Sequence, residues 1–121
     1  MDITTKYIFN GASITADTSS ESDPINLQGM ANDGVLSLYI YEAGDGTGQW
    51  TYMLSPNGSD YVEFTDAADI IAAAFTKISG PGADGYDIIQ FSPELAPFIK
   101  IKVTETVKSD AITPVAYLII K

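Results

Sequence analysis

The sequence predicts an all-β protein, a single antiparallel β-sandwich of jelly-roll-like type with about seven to nine strands. Three observations carry that expectation. Apolar residues alternate with period two through most of the chain. Strand-like runs recur about every 8–14 residues, the spacing of a sandwich or small barrel. Clusters of Gly, Pro, Asn and Asp separate the runs. With 121 residues, 45% of them apolar, the chain holds enough material for one core and one domain.

Tyr7–Phe9 is a first short run, and a weak one lies near Ile14. Asp17–Pro24 is polar and reads as an exposed loop or linker, so residues 1–24 are expected to form a polar N-terminal arm or edge strands. Residues 25–121 then form the sandwich. Val35–Tyr41 places Leu36, Leu38 and Ile40 on one face, with Val35, Ser37, Tyr39 and Tyr41 on the other. Across the glycine-rich loop Gly44–Gly48 comes Gln49–Leu54, where Trp50, Tyr52 and Leu54 alternate with Gln49, Thr51 and Met53. The two runs read as an antiparallel hairpin. Ser55-Pro56-Asn57-Gly58 is a turn, because proline presets φ and Asn-Gly accepts positive φ; Tyr61–Phe64 follows as a short strand.

Asp66–Ile78 admits two readings. Ile70, Ile71, Ala74, Phe75 and Ile78 share a helical face, which allows one short helix near 66–75. The same segment alternates as Ile71, Ala73 and Phe75 against Ile70, Ala72 and Ala74. Tyr86–Phe91 follows the Gly80–Gly85 loop. Phe98–Glu105 is the cleanest amphipathic strand, with Ile99, Ile101 and Val103 opposite Lys100, Lys102 and Thr104. Ile112–Ile120 is apolar on both faces, as in a central strand or one covered by another subunit, and Pro114 places its first part near an edge or bulge.

Composition excludes several chemistries. Six lysines, no arginine and sixteen acids give a net charge of −10, which disfavours nucleic acid as a partner. Histidine and cysteine are absent, so no Ser–His–Asp or Cys–His nucleophile, Cys/His zinc site or disulfide can form. An enzyme, a cofactor and a metal are therefore not expected. Membrane association is not expected either: no signal peptide is visible, and the weakly polar stretch Ala67–Phe75 is far short of a span. Asp17/Glu21/Asp23, Asp45 with Gly46, and Asp84 with Asp87 are oxygen-ligand clusters without EF-hand spacing. The acids as a class read as solvated surface groups. Tyr39, Tyr41, Trp50 and Tyr52 could form a sugar-stacking platform, although the alternation puts Trp50 and Tyr52 together as core. Lys100 and Lys102 are the one local basic pair, a candidate contact for an acidic partner or an ordinary solvent-facing strand.

From Ile25 onward the order of elements resembles small β-sandwich structural proteins of tailed bacteriophages, of the capsid decoration or cement type. The resemblance is carried by Asn26–Met30, Gly34–Leu38, the Ser55–Gly58 turn, Phe75–Gly82, and above all Phe91–Thr106, where a Pro-x-x-Ala-Pro-aromatic turn enters a strand ending Thr-Glu-Thr. Asn57 stands where aspartate is expected, and lysines stand where arginines are frequent. The resemblance implies a non-enzymatic virion protein on the capsid surface, with the major capsid protein as partner and a homotrimer at local threefold axes. It makes Lys100 and Lys102 candidate capsid contacts. Val115, Tyr117 and Ile119 become candidate subunit-interface residues, with Ala67–Ala74 a second apolar patch; an ordinary core is the alternative for both. A polar arm through Pro24 would reach a neighbouring subunit, so deleting 2–23 is expected to leave the domain folded. A phage tail or host-recognition module, or a bacterial carbohydrate-binding module, are the competing functions.

Overall fold

The computed structural model describes residues 3–28, 34–64, 72–107 and 109–120. Ten strands pack as two antiparallel sheets, and no helix occurs among the described residues. One sheet runs β1 (Thr4–Asn10), β10 (Thr113–Ile120), β4 (Leu36–Ala43), β8 (Tyr86–Phe91). In the other, β9 (Phe98–Glu105) and β5 (Gly48–Ser55) form the centre. The short strands β2 (Ser19–Glu21) and β3 (Ile25–Asn26) share the outer edge of β9, and β6 (Val62–Phe64) and β7 (Ala72–Phe75) share that of β5. Ten strands thus occupy eight positions, and successive positions repeatedly change sheets, which is a jelly roll.

The inner faces follow the sequence alternation. Leu36, Leu38 and Ile40 of β4, Ala116, Leu118 and Ile120 of β10, Ile99, Ile101 and Val103 of β9, and Trp50, Tyr52 and Leu54 of β5 form one buried core. Phe9 of β1 meets the Trp50 ring edge to face at 5.6 Å, closing the core at the open side of the first sheet.

The expected hairpin between the runs at 36–43 and 48–55 does not form. Those strands lie in opposite sheets, because β4 has both edges taken by β10 and β8, and β5 has both taken by β9 and the β6/β7 pair. Residues 44–47 cross between sheets that pack about 10 Å apart, a distance four extended residues can span. The crossing is docked rather than free: Gly46 N–H donates to the Ala111 carbonyl at 3.2 Å.

Over 72–75 the Ala-rich segment is strand β7, paired with β5, and a turn follows through Ile78, so the helical reading fails there. The free edge of β5 needs backbone partners, which a helix could not supply. Residues 65–71, including most of the Ala67–Ala74 patch, lie outside the described residues.

Residues 17–24 are more structured than an exposed linker. β2 pairs with β9 through Ser20 and Val103. Ser22 is buried; its N–H donates to the Ile101 carbonyl at 2.8 Å, and its Oγ accepts from Ile101 N–H at 3.0 Å. β1 meanwhile forms the edge of the first sheet, with a register shift at Ile8. Deleting 2–23 would strip an edge strand from each sheet and remove Phe9 from the core, so the expectation of a domain that folds without this segment is withdrawn. β10 lies between β1 and β4, a central strand. Its Pro114 carbonyl accepts from Gly11 N–H just where β1 ends, so the missing proline N–H disrupts no continuing ladder.

Candidate functional site

The outward side chains of the β1-β10-β4-β8 sheet form a continuous aromatic surface. Alternation turns Tyr7, Tyr117, Tyr39, Tyr41 and Tyr86 outward, and pairing register lines them up: Tyr7 opposite Tyr117, Tyr117 opposite Tyr39, and Tyr41 opposite Tyr86. Cross-strand aromatic neighbours of this kind interact directly. Tyr7 and Tyr117 stack at 4.8 Å, Tyr117 meets Tyr39 at 5.6 Å, Tyr39 meets Tyr86 at 6.4 Å, and Tyr41 stacks on Tyr86 at 4.2 Å. Tyr7 and Tyr86 remain 57% and 44% exposed, and Ile88 61%, so the surface is open to a partner.

Val115, Tyr117 and Ile119 lie on this face, half-buried. Thr5, Tyr39, Tyr117 and Ile119 enclose a shallow depression of about 260 Å³. A second groove, of about 500 Å³, lies at the β8 edge, where Tyr39, Tyr86 and Ile88 face the loop bearing Gly82 and Asp84. Burial and the nearby Tyr41, Tyr39 and Asp84 all push the Tyr86 phenol up, so it stays neutral at physiological pH.

Tyr39 and Tyr41 are separated from Trp50 and Tyr52 by the thickness of the sandwich. Trp50 is fully buried and Tyr52 nearly so, so the four-residue sugar platform does not assemble and the core reading holds for that pair. The outer face gains Tyr7, Tyr86 and Tyr117 instead. These lie far from Tyr39 and Tyr41 in sequence, and only strand register brings them into one row.

Lys100 and Lys102 project from the opposite face of the molecule, on β9. Lys100 pairs with Glu21 at 3.5 Å and sits 4.5 Å over the Tyr61 ring, while Lys102 pairs with Glu63 at 2.6 Å. Both ammonium groups are therefore engaged within the chain.

Two acids depart from the expectation of solvated carboxylates. Glu42 and Glu105 are completely buried. Each ends an inward-facing series, Leu36-Leu38-Ile40-Glu42 and Ile99-Ile101-Val103-Glu105, so the same period that placed the core also placed these carboxylates inside. Glu105 is anchored by two backbone donors, Asp17 N–H at 3.1 Å and Thr47 N–H at 2.8 Å. Burial pushes its carboxyl up, but those donations outweigh it and hold the group below the ordinary value. Glu42 has fewer partners. Trp50 Nε1–H donates to Oε1 at 3.2 Å and Gly48 N–H donates as well, while Oε2 has no hydrogen-bond partner. Burial dominates there, aided by repulsion from Glu105, and the Glu42 pKa rises from 4.5 to about 7.

The glycine loop fits closely over both carboxylates. A Cβ at Gly46 would lie 2.4 Å from Glu105 Oε2, and one at Gly48 would lie 2.3 Å from Glu42 Oε1. A side chain at either position would have to displace a buried carboxylate. Among the described residues no group of three or more His, Cys, Asp or Glu side chains is placed to hold a metal. Of the sequence clusters, Asp45 is hydrogen-bonded to Lys77 and Glu21 is paired with Lys100. No helix among the described residues is long and apolar enough to cross a membrane.

No family model matches the chain, and no curated protein matches it. Among solved structures it is similar to the infectious bursal disease virus VP2 subviral particle, at 12% identity and a TM-score of 0.46, over 98% of this chain. The match covers 32% of that longer chain, so this protein spans about a third of its length. The likeness is one of β architecture.

Proposed function

We propose that this protein is a non-enzymatic structural component of a bacteriophage virion, a capsid decoration protein that binds the head lattice and stabilises it by bridging major capsid subunits. The observation that carries the reading is the tyrosine-covered outer face of the first sheet, a broad docking surface on a closed jelly roll. Capsid and lectin domains both use this architecture, so the fold alone does not choose between them. The sequence resemblance over Phe91–Thr106, which the fold lays out as the end of β8, the connection at 92–97 and all of β9, favours the virion.

In this reading Val115, Tyr117 and Ile119 form the contact between three copies of the chain. Lattice attachment then needs shape and polar complementarity and no catalytic group. The acidic balance keeps closely arrayed copies soluble and discourages contact with packaged DNA.

Antibody-gold labelling of virions tests the location, and light scattering at low micromolar concentration tests the assembly. Label over the head and a solution mass near three chains are expected. Tyr117→Asp should lower that mass to one chain while leaving the fold intact. Label confined to the tail would move the protein to the host-recognition apparatus, and unlabelled virions would overturn the assignment.

A further inference from the structure

We propose that the groove at the β8 edge of the tyrosine face receives an arginine side chain presented by a protein partner. The inference deepens the structural reading above and rests on it for the identity of the partner, but not for the chemistry of the groove. Three observations on the outer face point to a guanidinium.

The walls are aromatic. Tyr86 is stacked on Tyr41 at 4.2 Å and tilted at 54° to Tyr39, with 44% of its surface still in solvent. Neutral tyrosine rings attract a cation over their faces, and arginine above lysine, because the planar guanidinium also stacks.

The rim carries uncompensated charge. Asp84 Oδ1 accepts from Tyr86 N–H at 3.3 Å. This bond fixes the carboxylate, and Asp84 belongs to no ion pair among the described residues. A carboxylate held in place beside an aromatic wall is the acceptor to which a guanidinium fork donates.

None of the chain's cations among the described residues is paired in the groove. Lys77, Lys100 and Lys102 are engaged with Asp45, Glu21 and Glu63, and Lys6 lies on β1 at the far edge of the sheet. The chain contains no arginine at all. With a net charge of −10, an approaching basic segment is steered toward the protein, whereas a second copy would be repelled at this acidic end.

The test is an NMR titration of the isotope-labelled full chain with the peptide acetyl-Gly-Arg-Gly-amide, alongside the citrulline peptide, which has nearly the same shape without the charge. Saturable shifts are expected at Tyr39, Tyr41, Asp84, Tyr86, Asp87 and Ile88 with arginine, and binding at least about ten-fold weaker with citrulline. Asp84→Asn keeps the local acceptor and should weaken arginine binding several-fold. Tyr86→Leu, which still covers Tyr41, should weaken it several-fold.

Equal binding of the citrulline peptide, shifts outside the groove, or no saturable shift would overturn the proposal. So would a response to chitotriose in place of arginine, which would make the groove a sugar site. Head labelling of virions with a groove indifferent to arginine would sink this inference alone; arginine binding with unlabelled virions would sink the virion reading alone.

Discussion

Replacing Glu42 with glutamine isolates the electrostatic cost of a carboxyl that the fold buries at the inner end of β4. In the unfolded chain this group loses its proton near 4.5, and in the folded protein near 7. Between those values the folded state binds the extra proton, so its stability falls as pH rises through the window and levels off above 7. The shift of about 2.5 units corresponds to roughly 3 kcal/mol of penalty on the native state at pH 8, and almost none at or below the unfolded pKa. Glutamine carries no charge at any pH. Its Oε1 can still accept from Trp50 Nε1–H, while its amide N–H groups take the position of Oε2, where no partner exists. That mismatch costs about 1 kcal/mol at every pH and cancels when two pH values are compared.

Urea denaturation followed by the fluorescence of Trp50, the lone tryptophan, measures both proteins at pH 5, 6, 7 and 8. The stability difference, variant minus parent, should rise by roughly 2–3 kcal/mol from pH 5 to pH 8. Most of that rise should fall between pH 5 and pH 7. Glu105 does not interfere, since its pKa is held down and it stays ionised across the range. A difference that is flat within about 0.5 kcal/mol would refute the account, because an isosteric change without pH dependence means that Glu42 carries no buried-charge penalty.

Gly48→Ala forces a methyl to within 2.3 Å of Glu42 Oε1 and 3.1 Å of Trp50 Nε1, so it should destabilise the fold by roughly 2–3 kcal/mol in the same assay. A neutral result would show that the loop can lift off the carboxylates. Glu105→Gln sets amide donors against backbone N–H donors and should cost roughly 2–4 kcal/mol at pH 7. The Glu105 carboxylate stabilises the parent above the unfolded carboxyl pKa and ceases to do so as pH falls through its lowered folded value; the gap between the proteins should therefore narrow in acid, and a gap that widens there would contradict the anchoring role. Deleting residues 2–23 removes β1, β2 and Phe9, so circular dichroism should show loss of cooperative unfolding; a sharp melt in the truncated chain would demote both edge strands to accessories.

The alternation in the sequence determined which residues form strands and which face each turns inward. Side chains on a pleated strand point to opposite sides by local geometry alone, so Leu36, Leu38 and Ile40 shared a face before any partner strand was known. The same rule already marked Glu42 and Glu105 as inward. The general preference of carboxylates for water obscured that marking, and it fails here because a glycine loop and backbone donors replace the solvent.

Strand partnership was decided only in three dimensions. The two runs around the glycine loop carry the signals of a hairpin, yet they belong to different sheets: β4 finds both of its neighbours, β8 and β10, far along the chain, and β5 has its edges taken by the distant β9 and by β6 and β7, which follow it. Residues 19–21 look like a linker and become a strand because β9 has an edge whose backbone groups need partners. The tyrosine face arises in the same way. Tyr7, Tyr39, Tyr41, Tyr86 and Tyr117 are scattered along the chain, and register, a property of the assembled sheet, gathers them into one surface. Local periodicity fixes the direction of a side chain, but the side chain it meets depends on closing loops of tens of residues, which no short stretch of sequence encodes.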